Sequence, residues 1–501
     1  MNVWNERLST WHAERKRTAS RLIKMVALFC VWLALVMLAR PVVAQERTAK
    51  PNFVIVFADD LGYSDIGCFG AKQIRTPNLD QMAQEGMRLT HFYAQTVCGP
   101  SRAALMTGCY PLRTAKRAND QKSVHPFLHS KEITIAEVLK DQGYATGCFG
   151  KWDLAGHKQA GYDVSLMPNR QGFDEYFGTP SSNDSIVNLV QNDKVVEPKA
   201  DMATLTQRFT NHALSFIREH KDEPFFVYLP HTMPHIRLAA SKDFAGKSSR
   251  GLYGDVVEEL DDNVGRILKL LTELDLQDET YVIFTSDNGP WYLDGHARLS
   301  KQRDKGGSHG GDADPLRGHK TSSWEGGVRV PTVVWAPGRV EAGTTSSKMA
   351  ATIDLLPTLA RLAGGEQPSD RIIDGNDISD LIHGKQSAVT RDTFYYYVHT
   401  QLMAVRKGRW KLHLQRSQNT MKNWDVFQKQ ADVVDLSSAK LFDLESDPGE
   451  QSDLAAKHPA VVKELSELAE SARRDIGDFD RIGEGARFFD PQPRRTDIRK
   501  P

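Results

Sequence analysis

The chain is poor in cysteine, with five among 501 residues, which excludes a disulfide-built scaffold. Net charge is missing too. Sixty-four Lys and Arg balance 64 Asp and Glu, so a broadly basic surface for nucleic acid is excluded. No repeat of about 20–50 residues recurs, as a solenoid or propeller would require. Long apolar runs are absent after Ala44, so no stable membrane span is expected in the remainder. What is present is ordinary globular composition, 40% hydrophobic and 26% charged. The length suits about two to four domains of roughly 100–200 residues.

The charge balance hides an asymmetry. Residues 1–44 hold seven basic and two acidic residues, leaving 57 basic and 62 acidic ones, a net of −5. Lys24 and Arg40 bracket an unbroken apolar run from Met25 to Ala39, followed by Val42-Val43-Ala44. A basic segment, an apolar stretch of about 7–15 residues and small residues before a cut describe a secretory signal. Cleavage is expected after Ala44, giving a secreted or periplasmic protein. The rival reading is an uncleaved anchor, for which the run is short against the roughly 20 residues of a spanning helix.

Phe53 to Phe57 is a continuous apolar run, as a strand buried on both faces reads, and it ends at Ala58-Asp59-Asp60. Thr76-Pro77-Asn78 opens a helix with an N-cap and a proline at its first position, closed by Gly86. Thr134 to Gln142 reads as a helix stopped by Gly143, and Tyr144 to Phe149 as a strand running into Gly150-Lys151. Phe225 to Leu229 is a strand ending at Pro230-His231. Around 253–275, Val256, Val257, Leu260, Val264, Ile267, Leu268 and Leu271 recur with a helical period. A strand from Tyr281 to Thr285 then ends at Ser286-Asp287-Asn288-Gly289. This alternation predicts an α/β sandwich with a largely parallel sheet.

Four of these strands deliver polar residues at their carboxyl ends: Asp59 and Asp60, Lys151, His231 and His235, Asp287 and Asn288. Any single set is explained by turn formation. Four sets together favour a site, because ligands bind outside the carboxyl ends of parallel strands.

Past about residue 385 the pattern turns antiparallel. Phe394 to Val398, Leu402 to Arg406, Arg409 to Leu414 and Lys440 to Leu444 read as short strands, with a hairpin around Lys407-Gly408. A charged amphipathic helix follows from Val461 to Ile476, then a Pro- and Arg-rich tail from about Arg487. The expected organisation is a signal over 1–44, a large α/β domain over 45–385, a smaller α+β domain over 386–486 and a loose tail over 487–501.

The most specific local signal is Cys98-Gly99-Pro100-Ser101-Arg102, followed by Ala103-Ala104-Leu105-Met106-Thr107-Gly108. A helix is expected to start near Ser101, setting Cys98 just ahead of an N-terminus whose free N–H groups favour negative charge. A lone cysteine is usually a small buried hydrophobe, but this one stands in a longer pattern. C-x-P-S-R followed by A-x-L-x-T-G resembles the signature of the type I sulfatases, in the alkaline phosphatase superfamily. The resemblance runs from about Pro51 to Leu454. It takes in Asp59-Asp60-Leu61-Gly62, Gly150-Lys151-Trp152, Gly172-Phe173-Asp174, Pro234-His235, Asp287-Asn288-Gly289, Gly318-His319-Lys320 and Glu325-Gly326-Gly327.

That resemblance implies an alkaline-phosphatase-like fold: a large mixed, mostly parallel sheet sandwiched by helices, plus a smaller C-terminal antiparallel α+β domain. It implies a sulfuric ester hydrolase whose Cys98 is oxidised to Cα-formylglycine by a separate formylglycine-generating machinery. One calcium ion would be held by Asp59, Asp60, Asp287, Asn288 and the modified residue 98, and the hard oxygens of these side chains suit it. Arg102 would steady the aldehyde hydrate, and Lys151 and Lys320 would bind sulfate oxygens. His235 and Lys320 would protonate the leaving alcohol. Ser182 matches a sulfate-contacting serine loosely. The implied substrate is a sulfated small molecule or saccharide. The stretch Gly172 to Asp184 resembles the arylsulfatase A and N-acetylgalactosamine-6-sulfatase side of the family, which favours a sugar.

One position departs from the family. Sulfatases usually read Gly-Lys-Trp-His where this chain has Gly150-Lys151-Trp152-Asp153. The histidine's expected role as base in the second step falls to Asp153 or to nearby His157, or else that step is slow. The charged, Gly-rich stretch His296 to His319 reads either as a grip for a polyanionic saccharide or as a surface loop. Its histidines lack zinc spacing. Cys68, Cys109 and Cys148 allow one disulfide, with buried thiols the plainer reading. Two alternatives stand beside the sulfatase: a phosphoester or phosphonate hydrolase of the same superfamily, and a sulfated-glycan-binding protein without turnover.

Overall fold

Every residue of β1 (Asn52–Ala58) is buried. Phe53, Ile55 and Phe57 face one apolar cluster, while Val54, Val56 and Ala58 face another, as the two-residue period of a strand covered on both faces demands. The computed structural model describes residues 50–114, 128–156, 162–184, 186–291, 310–398, 400–416 and 436–487, together with Met25. The expected signal, His157, most of the stretch from His296 to His319 and the tail beyond Arg487 lie outside the described residues.

With β1 come β2 (Met87–Leu89), β3 (Ala145–Lys151), β4 (Glu175–Thr179), β5 (Leu189–Gln191), β6 (Lys194–Glu197), β7 (Phe225–Pro230), β8 (Thr280–Ser286), β9 (Thr332–Trp335) and β10 (Thr344–Ser346). They form one ten-stranded sheet in the order β10-β2-β9-β8-β1-β7-β3-β4-β5-β6. The central five, β8, β1, β7, β3 and β4, are all parallel. Their neighbours β9 and β5 run antiparallel.

Helices cover both faces. The Val54 side receives α1 (Pro77–Glu85), α4 (Leu205–Glu219) and α5 (Gly251–Glu273), and the Phe53 side receives α2 (Cys98–Thr107), α3 (Ile135–Asp141) and α6 (Leu355–Leu362). The expected stripe on α5 is buried at Val256, Val257, Leu260, Val264, Ile267 and Leu271. Toward the C-terminus, β11 (Thr393–Val398), β12 (Gln401–Lys407), β13 (Trp410–His413) and β14 (Lys440–Asp443) make an antiparallel sheet in chain order. It packs against α7 (Pro459–Asp475) and shares its apolar core with Tyr93, Ala104, Leu112 and Ile353.

Two local expectations are corrected. Helix α2 begins at Cys98, not near Ser101. Pro100 falls in its first turn, where a missing N–H costs nothing because no intrahelical acceptor exists there. Thr76 precedes α1, but its hydroxyl accepts the Gly67 N–H at 2.7 Å instead of capping. Asp261 of α5 caps in its place, accepting from Asn78 N–H at 3.2 Å and Leu79 N–H at 2.8 Å. Arg487 is tied to Glu132 and to the Ile372 carbonyl. Cys68, Cys98, Cys109 and Cys148 carry free thiols. Among the described residues, no helix is long and apolar enough to cross a membrane.

Candidate active site

Parallel register brings the strand ends together. Phe57 pairs with Pro230 on one side and Thr285 on the other, and Lys151 pairs with Thr179. Asp59-Asp60, His231 to His235, Asp287-Asn288 and Lys151 therefore leave the sheet along one edge, where Cys98 starts α2.

There the side chains interlock. The Cys98 thiol donates to Asp59 Oδ1 at 3.2 Å, and Lys320 Nζ reaches Cys98 Sγ at 3.1 Å and Asp60 Oδ1 at 2.6 Å. Lys151 Nζ donates to Asp59 Oδ2 at 2.6 Å. Arg102 spans the Lys151 carbonyl at 2.8 Å and Asp287 Oδ2 at 2.9 Å. The Asp60 N–H donates to Asp287 Oδ1 at 3.1 Å, and Asn288 Nδ2 to Asp60 Oδ1 at 2.7 Å. His235 Nδ1 faces the Ile236 carbonyl, leaving Nε2 toward Asp60 Oδ2 at 3.7 Å and Asp184 Oδ1 at 3.8 Å. Asp153 Oδ2 lies 3.8 Å from Lys151 Nζ. Asp60 and Asp153 hold left-handed backbones, with φ of 66° and 56°, a conformation that concentrates at functional sites. The Ser182 Oγ is buried without a hydrogen bond among the described residues, and its neighbour Asn183 donates to the His235 carbonyl at 3.2 Å.

Burial opposes every charge here, so the partners decide. Burial alone would raise Asp59, but Lys151, then His235 and Arg102, hold it well below the ordinary carboxylate range. Asp287 moves up, through burial and then the like charge of Asp59. Burial, followed by Asp287 and Asp59, pushes the Cys98 thiol far up. As a neutral thiol it is a poor nucleophile, since the thiolate is the reactive form. Burial and then Lys320 lower His235.

The oxygen donors here fit a hard cation. Asp59, Asp60, Cys98 and His235 offer atoms all within 4.8 Å of one another, a group that does not include Asp287, whose oxygens accept from Arg102 and the Asp60 N–H. Asp60 Oδ2 and Asn288 Oδ1 are buried with no hydrogen-bond partner among the described residues, and buried oxygens of that kind call for one. Oxygen ligands of this type suit Ca²⁺.

Sequence reasoning passed over Trp291 and Asp184. The Trp291 ring lies 4.9 Å from Lys320 Nζ and 5.9 Å from the His235 ring. Its position just after Asn288-Gly289-Pro290 was the only available signal. Asp184 ends the Gly172 to Asp184 stretch, two residues past Ser182, and nothing local to it points to His235.

Two lysines and a group of carboxylate oxygens thus converge on one buried residue, Cys98, at the end of a parallel sheet. Residues 51–365 match the Sulfatase family and residues 389–490 the C-terminal region of aryl-sulfatase. The chain is 31% identical to steryl-sulfatase of Homo sapiens over 90% of its length and 91% of that protein's. It is 35% identical to N-acetylgalactosamine-6-sulfatase of Mus musculus, over 84% of this chain and 85% of the other. A solved structure from work on metabolism of multiple glycosaminoglycans by Bacteroides thetaiotaomicron superposes with a TM-score of 0.74 at 30% identity, covering 85% of this chain and 99% of that one. The chain belongs to the sulfatase family, in the alkaline phosphatase superfamily, and is a sulfuric ester hydrolase.

Proposed function

We propose that the protein releases sulfate from a sulfated saccharide through Cα-formylglycine made from Cys98, beside one calcium ion held by Asp59, Asp60, Asp287, Asn288 and residue 98. The observation that carries this reading is Cys98 itself. It starts α2 against Asp59 and Lys320, yet its unmodified thiol is held neutral. When present, the aldehyde hydrate supplies an oxygen nucleophile with a second hydroxyl that lets the aldehyde re-form, and the cation lowers the pKa of an adjacent oxygen.

The chain's own residues do the rest. Lys151 and Lys320 bind sulfate oxygens as point charges. Arg102 orients the Lys151 carbonyl and the Asp287 carboxylate. With Nδ1 donating to the Ile236 carbonyl, His235 moves a proton at Nε2, and Lys320 Nζ shares that task toward the leaving oxygen. Asp153 accepts the proton of the second step in place of the family histidine. Ser182 contributes a sulfate contact.

The saccharide is supported by similarity to N-acetylgalactosamine-6-sulfatase and to the glycosaminoglycan-related structure. Export is supported by the basic and apolar character of residues 1–44. We assign residues 45–385 to the catalytic domain, 386–486 to the C-terminal α+β domain and 487–501 to a tail. The test is sulfate release from a set of defined sulfated saccharides and a steryl sulfate, with mass spectrometry of the Cys98 peptide. Turnover confined to the steryl ester would displace the saccharide reading. Turnover with an unmodified Cys98 would displace formylglycine.

A further inference from the structure

Five residues beyond Lys320, Glu325 is fully buried and takes no part in the chemistry assigned above. Tyr93 Oη donates to its Oε2 at 2.6 Å and Tyr396 Oη to its Oε1 at 2.8 Å. Lys411 Nζ, from β13, lies 2.9 Å from the same Oε1 and 3.0 Å from Glu450 Oε1. Glu450 closes the ring: its Oε2 accepts the Glu325 N–H at 2.7 Å, and its Oε1 meets His413 Nε2 at 2.7 Å. Glu325, Lys411 and Glu450 have no solvent contact.

Arg329 and Arg406 also approach Glu325 Oε2, at 3.8 and 3.9 Å. Such an arrangement is a poor source of stability. Stripping water from buried charges costs several kcal/mol per ion, and apolar side chains of equal volume are often as stable or more so. A buried charge cluster is better explained by what it holds in place, and here that is the Lys320 loop. The Gly326 N–H donates back to the Arg317 carbonyl at 2.7 Å, closing the loop just past Glu325. At the tip, the Lys320 N–H donates to the Pro290 carbonyl at 2.9 Å and the Thr321 N–H to the Thr96 carbonyl at 2.8 Å. Thr96 Oγ1 donates in turn to the Tyr397 carbonyl of β11 at 2.9 Å. Thr321 carries a φ of 72°, unfavourable for a β-branched residue and sustained only by its surroundings. The closing end of the loop and its tip are therefore both moored to the C-terminal sheet.

We propose that Lys411 is a positioning residue for Lys320: through Glu325 and Glu450 it fixes the loop that carries the Lys320 ammonium to Cys98 and Asp60. This rests on the role given to Lys320 above. It makes the C-terminal sheet part of the catalytic apparatus.

The test is a double-mutant cycle in the full-length enzyme carrying modified Cys98, read as kcat/KM for sulfate release. Lys411→Met should lower it about ten- to a hundredfold, the scale expected when a reacting group is displaced by ~1 Å. Lys411→Arg, which keeps the charge, should lose less. In a Lys320→Ala background, Lys411→Met should remove less than about threefold more, because residues acting through one another are not additive. Equal losses in both backgrounds overturn the proposal, as does an unchanged kcat/KM for Lys411→Met. Isosteric Glu450→Gln is read through the same cycle and decides the matter should the Lys411 variant fail to fold. If Lys320→Ala alone leaves kcat/KM intact, the role of Lys320 falls, and the positioning with it.

Discussion

Arg102 Nη2 donates to Asp287 Oδ2 at 2.9 Å, joining the helix that begins at Cys98 to the end of β8, and neither side chain touches solvent. The other terminal nitrogen takes the Lys151 carbonyl at 2.8 Å. One planar guanidinium thereby ties three chain segments together at the reaction centre, which a compact ammonium cannot do.

Arg102→Met should cost about 3–5 kcal/mol, because it strands buried carboxylates without their partner. Urea titration measures the loss. An unchanged midpoint would show that Lys151 alone compensates for Asp59 and Asp287. Sulfate release should fall with the substitution.

Asp153→Ala should spare the first burst of alcohol release and slow the steady state by about 10²–10⁴-fold, the usual contribution of a positioned base. Stopped-flow kinetics with an aryl sulfate separates the two phases. Equal slowing of both would remove Asp153 from the second step.

Chelation should lower the thermal midpoint, and calcium should restore it. At about 100 times its Kd, a ligand specific to the folded state adds about 2.7 kcal/mol. Asp60→Asn should blunt the restoration, because Asp60 Oδ2 is one of the two unpartnered oxygens of the cluster. Calorimetry with and without the cation reads both effects, and a midpoint indifferent to calcium would count against the site.

Asp261, the cap supplied to α1 by α5, is pushed up to about 6, chiefly by burial, although the Leu79 and Asn78 N–H groups pull the other way. The folded protein keeps this proton at pH values where the unfolded chain has released it. Its contribution to stability is therefore complete below about pH 4 and lost as pH rises through about 6, a span of about 3 kcal/mol. Asp261→Asn should remove that slope, so the stability gap between the two proteins should shift in favour of the Asn variant from pH 4 to pH 7. A gap constant with pH would refute the assignment.

The strands were readable because double burial leaves uninterrupted apolar runs. Phe53 to Phe57, Phe225 to Leu229 and Tyr281 to Thr285 all fall within β1, β7 and β8. The sequence sets the start of α2 too late because Pro100 reads as a boundary, although the first turn tolerates it. The sequence makes Thr76 a cap, but a carboxylate 185 positions downstream, Asp261, occupies that role. Nothing local to Glu325 announces Lys411 or Glu450, which lie 86 and 125 residues away.

Residue chemistry and local period are properties of neighbours along the chain. They determined where the strands end, which oxygens and cations stand there, and that Cys98 lies beside a helix N-terminus with an arginine four residues on. Pairing, burial and proton affinity arise between segments far apart in sequence. Only the folded sheet decided that Arg102 meets Asp287, that Lys320 meets Cys98, and that the thiol stays neutral. Desolvation, which raises the thiol's pKa and magnifies each ion pair, exists only once those segments have closed over one another.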